Sequence, residues 1–186
     1  MDKLLDYVDV FFSRLGFRMT TEQPVRVFEE IEFCQSHPVL CGGFWTMVRD
    51  VRTCLKKDPM CLLPMPNNKV WRKWLGAVGE CGMATVPGCP VLQSFYGCFK
   101  RNGTSYSEGF KTHLFKNTSM LERMVEGETE VDDESRASFY RAFKITPDMQ
   151  IALEHYYDNF VICGVEGAEV KSGVVEVSPP AFLRHL

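Results

Sequence analysis

Four neighbouring residues, Cys34, Gln35, Ser36 and His37, bring a thiol, an amide, a hydroxyl and an imidazole into one short stretch. Small polar groups of this kind suit contact with sugar and phosphate, which positions a nucleic-acid strand without reading its sequence. Cys34, His37 and Cys41 also supply three zinc-type donors, but a structural zinc site normally takes four, and no fourth follows at a characteristic spacing. Just beyond lie Arg49, Arg52, Lys56 and Lys57. A helix starting near Asp50 would gather Arg49, Arg52 and Lys56 on one face, since residues three and four apart are neighbours there. Such a face suits phosphate binding, and a solvated face is the plainer alternative.

The charge of the whole chain hides this local excess. The formal net charge is −3, yet residues 40–120 hold eleven Lys/Arg against four acids, and residues 121–186 hold six against thirteen. A basic middle in an acidic chain points to a localised polyanion partner. Hydrophobic residues make up 45% and aromatic residues 12% of the chain, enough for a packed core, so bulk disorder is excluded. No apolar run approaches the roughly 20 residues that cross a bilayer. The opening MDKLLDYVDVFFSRLGF intersperses Asp among its apolar residues and lacks a small-residue cleavage site, unlike a signal peptide. The eight cysteines have no repeated CxxC spacing and sit among apolar neighbours, which reads as reduced thiols in a cytosolic setting.

The elements that must position these residues follow from periodicity. Leu4, Leu5, Val8, Phe11, Phe12 and Leu15 recur at helical spacing, and Gly16 supplies a stop. This amphipathic helix is expected to leave Leu4, Val8, Phe11 and Leu15 as a sticky face. VRVFEEIEFCQ reads as a strand, SHPVLCGG as a turn-rich break and FWTMVRD as a second strand, with Gly42-Gly43 as the hairpin signal. From Asp50 the period becomes helical. Pro59, Pro64 and Pro66 interrupt it before KVWRKWLGAVGECGM, and ATVPGCP separates that helix from VLQSFYGCFKR. Residues 102–109 read as a polar loop and 126–135 as an acidic linker or helix lead-in. RASFYRAF and ITPDMQIALEHYYDNF read as two more helices, with Thr146 and Pro147 opening the second. VEVSPPAFLRHL reads as a loosely held tail. Trp71, Trp74, Phe95, Tyr96 and Phe99 could stack on bases, but their helical spacing favours a core role. The fold class is therefore α+β, mostly α: one helix, one hairpin and an all-helical remainder.

At residues 16–58 the pattern becomes specific. LGFRMTTEQPV, then EIEFCQSHPVLCGGFWTMVRDVRTCLKKD, resembles the region just downstream of the GDD motif in RNA polymerases of positive-strand RNA viruses, most of all the tombusvirus-like and noda-like group. SFYRAFKITPDMQIALE is similar to a thumb segment of the same group. The resemblance implies a right-hand polymerase whose palm ends within residues 1–49, with motif D in the first helix and turn and motif E in the hairpin. Residues 50–186 would then form a helical thumb. It further implies that Cys34, Gln35, Ser36 and His37 hold the RNA 3′ end, and that Arg49, Arg52, Lys56 and Lys57 contact phosphates.

The family's metal-binding aspartates lie upstream of motif D, and no GDD occurs in this sequence. Two-metal phosphoryl transfer needs carboxylates holding ions about 4 Å apart, so Mg²⁺ is expected on residues outside this chain. The isolated chain is then expected to be inactive. Motif D often carries a basic proton donor; Arg18 alone stands there, and guanidinium donates protons poorly because it stays charged. The implied partners are RNA template and nascent strand, nucleoside triphosphates and the rest of the polymerase, in the host cytoplasm. A free-standing helical RNA-binding module and a small zinc-stabilised interaction protein are the rival readings.

Overall fold

A computed structural model describes residues 2–20, 22–61, 67–105, 129–162 and 173–174. It is mostly helical, with a small antiparallel sheet, as the α+β reading requires. The first helix, α1 (Asp2–Arg14), ends in a turn at Gly16. Tyr7, Phe11 and Leu15 on it are exposed, and Val8 is half-buried. The side chain of Leu4 lies outside the described residues.

The expected strand over VRVFEEIEFCQ is not one. Phe28–Glu30 form a single 3-10 turn, and Phe33 to Ser36 make a tight reversal. The first strand is instead β1 (Ser36–Cys41), in the stretch that reads as a break. It pairs with β2 (Phe44–Arg49) in the register Ser36↔Arg49, Val39↔Thr46 and Cys41↔Phe44. Gly42 and Gly43 both take positive φ at the connecting turn, which glycine does without a Cβ penalty. Alternation sends Val39, Cys41 and Val48 into the core.

Pro38 is compatible with a strand because β1 runs along α5 (Asp133–Phe143) rather than along a third strand. Ser138 Oγ accepts the Leu40 amide at 2.9 Å, and Ser135 Oγ accepts the Gly42 amide at 3.0 Å. Two serines one helical turn apart thus satisfy the alternate N–H groups of a strand edge, which buried backbone requires.

Helix α2 (Val51–Lys57) follows β2 directly, its first turn capped by the Asp50 carboxylate, which accepts from the Thr53 amide. β3 (Met60–Cys61) pairs antiparallel with β4 (Gly173–Val174). Then come α3 (Asn68–Thr85) and α4 (Leu92–Asn102), which pack closely because glycines recur every third residue on α3. A Cβ built at Gly79 would fall 2.3 Å from the Lys100 amide nitrogen, so only glycine permits this approach. Thr146 precedes Pro147 at the start of α6 (Pro147–Asn159), although its hydroxyl makes no capping bond. The acidic stretch ends as a lead-in to α5, whose N-cap Asp132 accepts from the Ser135 amide. The expected tail over 175–186 lies outside the described residues.

One contiguous core joins the sheet to the helices: Val39, Val48 and Val51 meet Leu75, Phe95, Phe99, Phe139, Leu153 and Tyr157. Trp71, Phe95, Tyr96 and Phe99 belong to it and Trp74 packs against it, so these aromatics serve the core. Cys41, Cys54, Cys61, Cys89 and Cys98 are buried within it, as small hydrophobes are.

Candidate functional site

The reversal before β1 is the most unusual backbone in the hairpin. Phe33 and Ser36 exchange both backbone hydrogen bonds at 2.9 Å, and the two residues between them, Cys34 and Gln35, have φ of 51° and 60°. Positive φ at both central positions defines a type I′ turn, which favours Asn-Gly or Gly-Gly. Cys and Gln there cost roughly 1–2 kcal/mol each. Both side chains are exposed, so packing does not account for the choice. An exposed, strained turn with polar side chains is the kind of local cost that functional sites retain.

Around this tip the fold assembles several charged residues. Ser36 faces Arg49 across the ladder, and the Gln35 carbonyl accepts the Asp50 amide at 2.8 Å. Cys34, Gln35, Ser36 and Arg49 therefore stand at one end of the hairpin, against the start of α2. Arg49 belongs to β2, not to α2, so the single helical face expected for Arg49, Arg52 and Lys56 does not exist. The helix begins only at Val51 because the Asp50 carboxylate caps it, leaving the preceding residue extended.

Arg49 is instead oriented by a residue that periodicity does not single out. Asp58 Oδ1 accepts from Arg49 Nη1 at 2.9 Å, while Asp58 Oδ2 accepts from the buried Tyr96 hydroxyl at 2.6 Å. Burial, followed by the neighbouring Cys54 and Asp58, pushes the Tyr96 hydroxyl far above its ordinary pKa and keeps it a donor. Burial likewise pushes the Cys54 thiol up to about 11. One guanidinium nitrogen is thus committed to Asp58, leaving other donors of Arg49 for a phosphate.

Arg52 and His37 turn the other way. Arg52 Nη1 donates to the Phe143 carbonyl at 3.4 Å, and the His37 ring meets the Phe143 ring edge-on at 5.3 Å. His37 Nδ1 lies 3.1 Å from the Glu29 carbonyl oxygen, so the half-buried imidazole faces inward and away from the tip. His37 and Cys41 share one face of β1 but stand four residues apart, roughly 13 Å along an extended strand. That is too far for one zinc ion with bonds near 2 Å, and no cluster of three or more His, Cys, Asp or Glu occurs among the described residues. Lys56 and Lys57 are exposed in the last turn of α2, where the helix dipole favours cations, and have no acidic partner among the described residues. Arg18 is exposed in the irregular segment after α1.

The remaining buried carboxylate, Glu29, is structural. Burial opposes its ionisation, but hydrogen bonds from backbone, Arg141 and Ser138 prevail and hold its carboxyl below the usual range. Ser138 Oγ donates to it at 3.0 Å and Arg141 Nε at 2.7 Å. Periodicity marks Tyr96 as core but not its hydroxyl's partner, and it marks neither Glu29 nor Asp58, because the contacts of these polar groups join separate elements.

No helix of the described residues is long and apolar enough to cross a membrane. No solved structure matches the chain. Among curated proteins, an RNA-directed RNA polymerase of Turnip crinkle virus is 41% identical over 157 residues, covering 77% of this chain and 19% of that protein. An RNA-directed RNA polymerase of Tobacco necrosis virus (strain A) is 40% identical over 173 residues, covering 85% and 22%. One of Panicum mosaic virus (strain United States/Kansas 109S) is 34% identical over 180 residues, covering 94% and 18%. The chain spans about a fifth of the length of these relatives. The family model described as viral RNA dependent RNA polymerase matches residues 1–164, and this chain belongs to that family.

Proposed function

We propose that these residues are the strand-holding part of an RNA-directed RNA polymerase that replicates a positive-strand viral genome in the host cytoplasm. In this reading the edge of the palm (1–49) meets a helical thumb (50–186). The observation that carries it is the exposed type I′ turn at Cys34-Gln35, strained without glycine and set beside Arg49. Cys34, Gln35 and Ser36 would touch the sugar and phosphate of the RNA 3′ end. Arg49, held by Asp58, and the exposed Lys56 and Lys57 would bind phosphates of the nascent strand and template. Arg52 and His37 would contribute through the packing of the hairpin on Phe143.

Nucleotidyl transfer from nucleoside triphosphates would take place elsewhere in the polymerase. The described residues do not fit the divalent ions such chemistry uses. Glu29, Asp58 and Glu154 are engaged by arginines, and Asp50 and Asp132 cap helices. The metal ions, Mg²⁺ in this reading, would sit on carboxylates outside these residues. Arg18 then has an electrostatic role at most.

The test is the affinity of this chain for single-stranded RNA across a salt series. Lys56→Gln with Lys57→Gln should weaken binding and lower the logarithmic salt slope by about 0.7 for each phosphate no longer neutralised. Gln35→Ala should weaken binding with the slope unchanged. Wild-type affinity and slope with all of these substitutions would overturn the reading.

A further inference from the structure

An arginine at the open end of a strand has no fixed direction of its own, because its long side chain samples many rotamers. An exposed ion pair adds little order by itself. Arg49 stands in that position: 42% of its side chain is exposed, and one guanidinium nitrogen meets one oxygen of Asp58 at 2.9 Å. The order comes from behind the carboxylate. Asp58 Oδ2 accepts the Tyr96 hydroxyl at 2.6 Å, and the Asp58 amide donates to the Cys54 carbonyl at the end of α2. Tyr96 is fixed in turn. It is buried, its ring meets that of Phe95 at 5.0 Å, and a Cβ built at Gly82 of α3 would overlap its ring atoms.

Packing needs only the ring of Tyr96, which phenylalanine would supply, whereas the hydroxyl brings a polar atom into the core that must be paired. Burial keeps that hydroxyl protonated, so it stays a donor to Asp58. A guanidinium is a planar fork, and fixing one of its edges fixes the plane that it offers to a phosphate. We propose that Tyr96 and Asp58 are positioning residues for the phosphate contact of Arg49, carrying the packing of α3 on α4 through to the end of β2. The inference rests on the strand-holding reading above and adds to it what aims the arginine. Neither residue touches RNA. Tyr96 holds the carboxylate, the carboxylate holds one edge of the guanidinium, and the free edge meets the strand. A binding group is precise only when buried neighbours lock its rotamer, and here the neighbours belong to two helices outside the hairpin.

Tyr96→Phe is the test, because it keeps the ring and leaves every charge in place. It should weaken binding of single-stranded RNA by this chain roughly two- to fivefold, as expected for a blunted charge-assisted bond. Arg49→Gln should weaken binding at least as much and lower the logarithmic salt slope by about 0.7, for one phosphate no longer neutralised. Adding Tyr96→Phe to Arg49→Gln should then cost nothing further, whereas a merely structural role for the hydroxyl would weaken both backgrounds equally. A second readout needs no RNA. Nitrogen NMR of the Arg49 guanidinium, assigned by its absence in Arg49→Gln, should show restricted rotation in the wild type and fast rotation in Tyr96→Phe. Wild-type affinity of Tyr96→Phe, equal losses in the two backgrounds or an unaltered guanidinium signal would each overturn the inference. Tighter binding by Tyr96→Phe would overturn it too, by making Asp58 a competitor of RNA. If Arg49→Gln and the lysine variants weaken binding while Tyr96→Phe does not, this inference alone is lost. If fast guanidinium rotation in Tyr96→Phe accompanies wild-type RNA binding by all of these variants, the strand-holding reading is lost and Arg49 is aimed at something other than RNA.

Discussion

The hydroxyl of Ser138 accepts the amide of Leu40 at 2.9 Å, joining two residues 98 positions apart. The same hydroxyl donates to Glu29, so one buried side chain seats both the hairpin and the 3-10 turn on α5. Ser138→Ala removes a partner from a strand amide and from a buried carboxylate together. Leaving a buried polar group unpaired costs about 1–3 kcal/mol. Urea denaturation should show at least that loss, and a midpoint equal to wild type would mean that the edge of β1 is satisfied in some other way.

Glu29 makes the stability of this junction depend on acid. Its folded pKa lies below the unfolded value, so near pH 4 the unfolded chain binds more protons. The contribution of Glu29 is therefore complete above the ordinary carboxylate range and is lost as the pH falls through the lowered value. Glu29→Gln should lower stability at pH 7 and flatten its dependence on pH below about 4.5. Parallel stability–pH curves for wild type and variant would contradict this.

Gly79 separates helix propensity from packing. On propensity alone, alanine would favour α3 by about 1 kcal/mol. The added methyl would meet the Lys100 backbone at 2.3 Å, and overpacking against backbone costs about 1–3 kcal/mol. Gly79→Ala should thus lower the melting temperature, whereas a rise would show that α3 and α4 can slide apart at no cost.

Cys34 offers a probe of the turn in the unmodified chain. It is exposed, while burial pushes the Cys98 thiol, like that of Cys54, up to about 11. Thiolate is the reactive form, so brief iodoacetamide treatment at about pH 7.5 should alkylate Cys34 well before the buried Cys41, Cys54, Cys61, Cys89 and Cys98. Peptide mapping reads this directly. Single-stranded RNA should slow the reaction at Cys34 if the turn lies on the strand, and an unaltered rate at saturating RNA would place the strand elsewhere.

The sequence by itself determined the helices, the Gly42-Gly43 turn and the family. Apolar residues at three- and four-residue spacing are local information, and α1, α3 and α4 form where that spacing lies. Two adjacent glycines between apolar runs specify a reversal whatever surrounds them. The segments EFCQ and MVRD likewise carry the polymerase resemblance as bare residue order. Only the tertiary structure decided that Ser36–Cys41 is a strand and that the branched and aromatic residues before it are not. Pro38 and the nearby turn residues read locally as a break, and β1 exists because Phe44–Arg49 and two serines of α5 take up its backbone groups. The placement of Arg49 follows the same logic, since Asp58 reaches it from the end of α2 and is itself held by Tyr96 of α4. Periodicity reports which face of an element is apolar. It carries no record of which distant hydroxyl or carboxylate will meet that element once the core has closed.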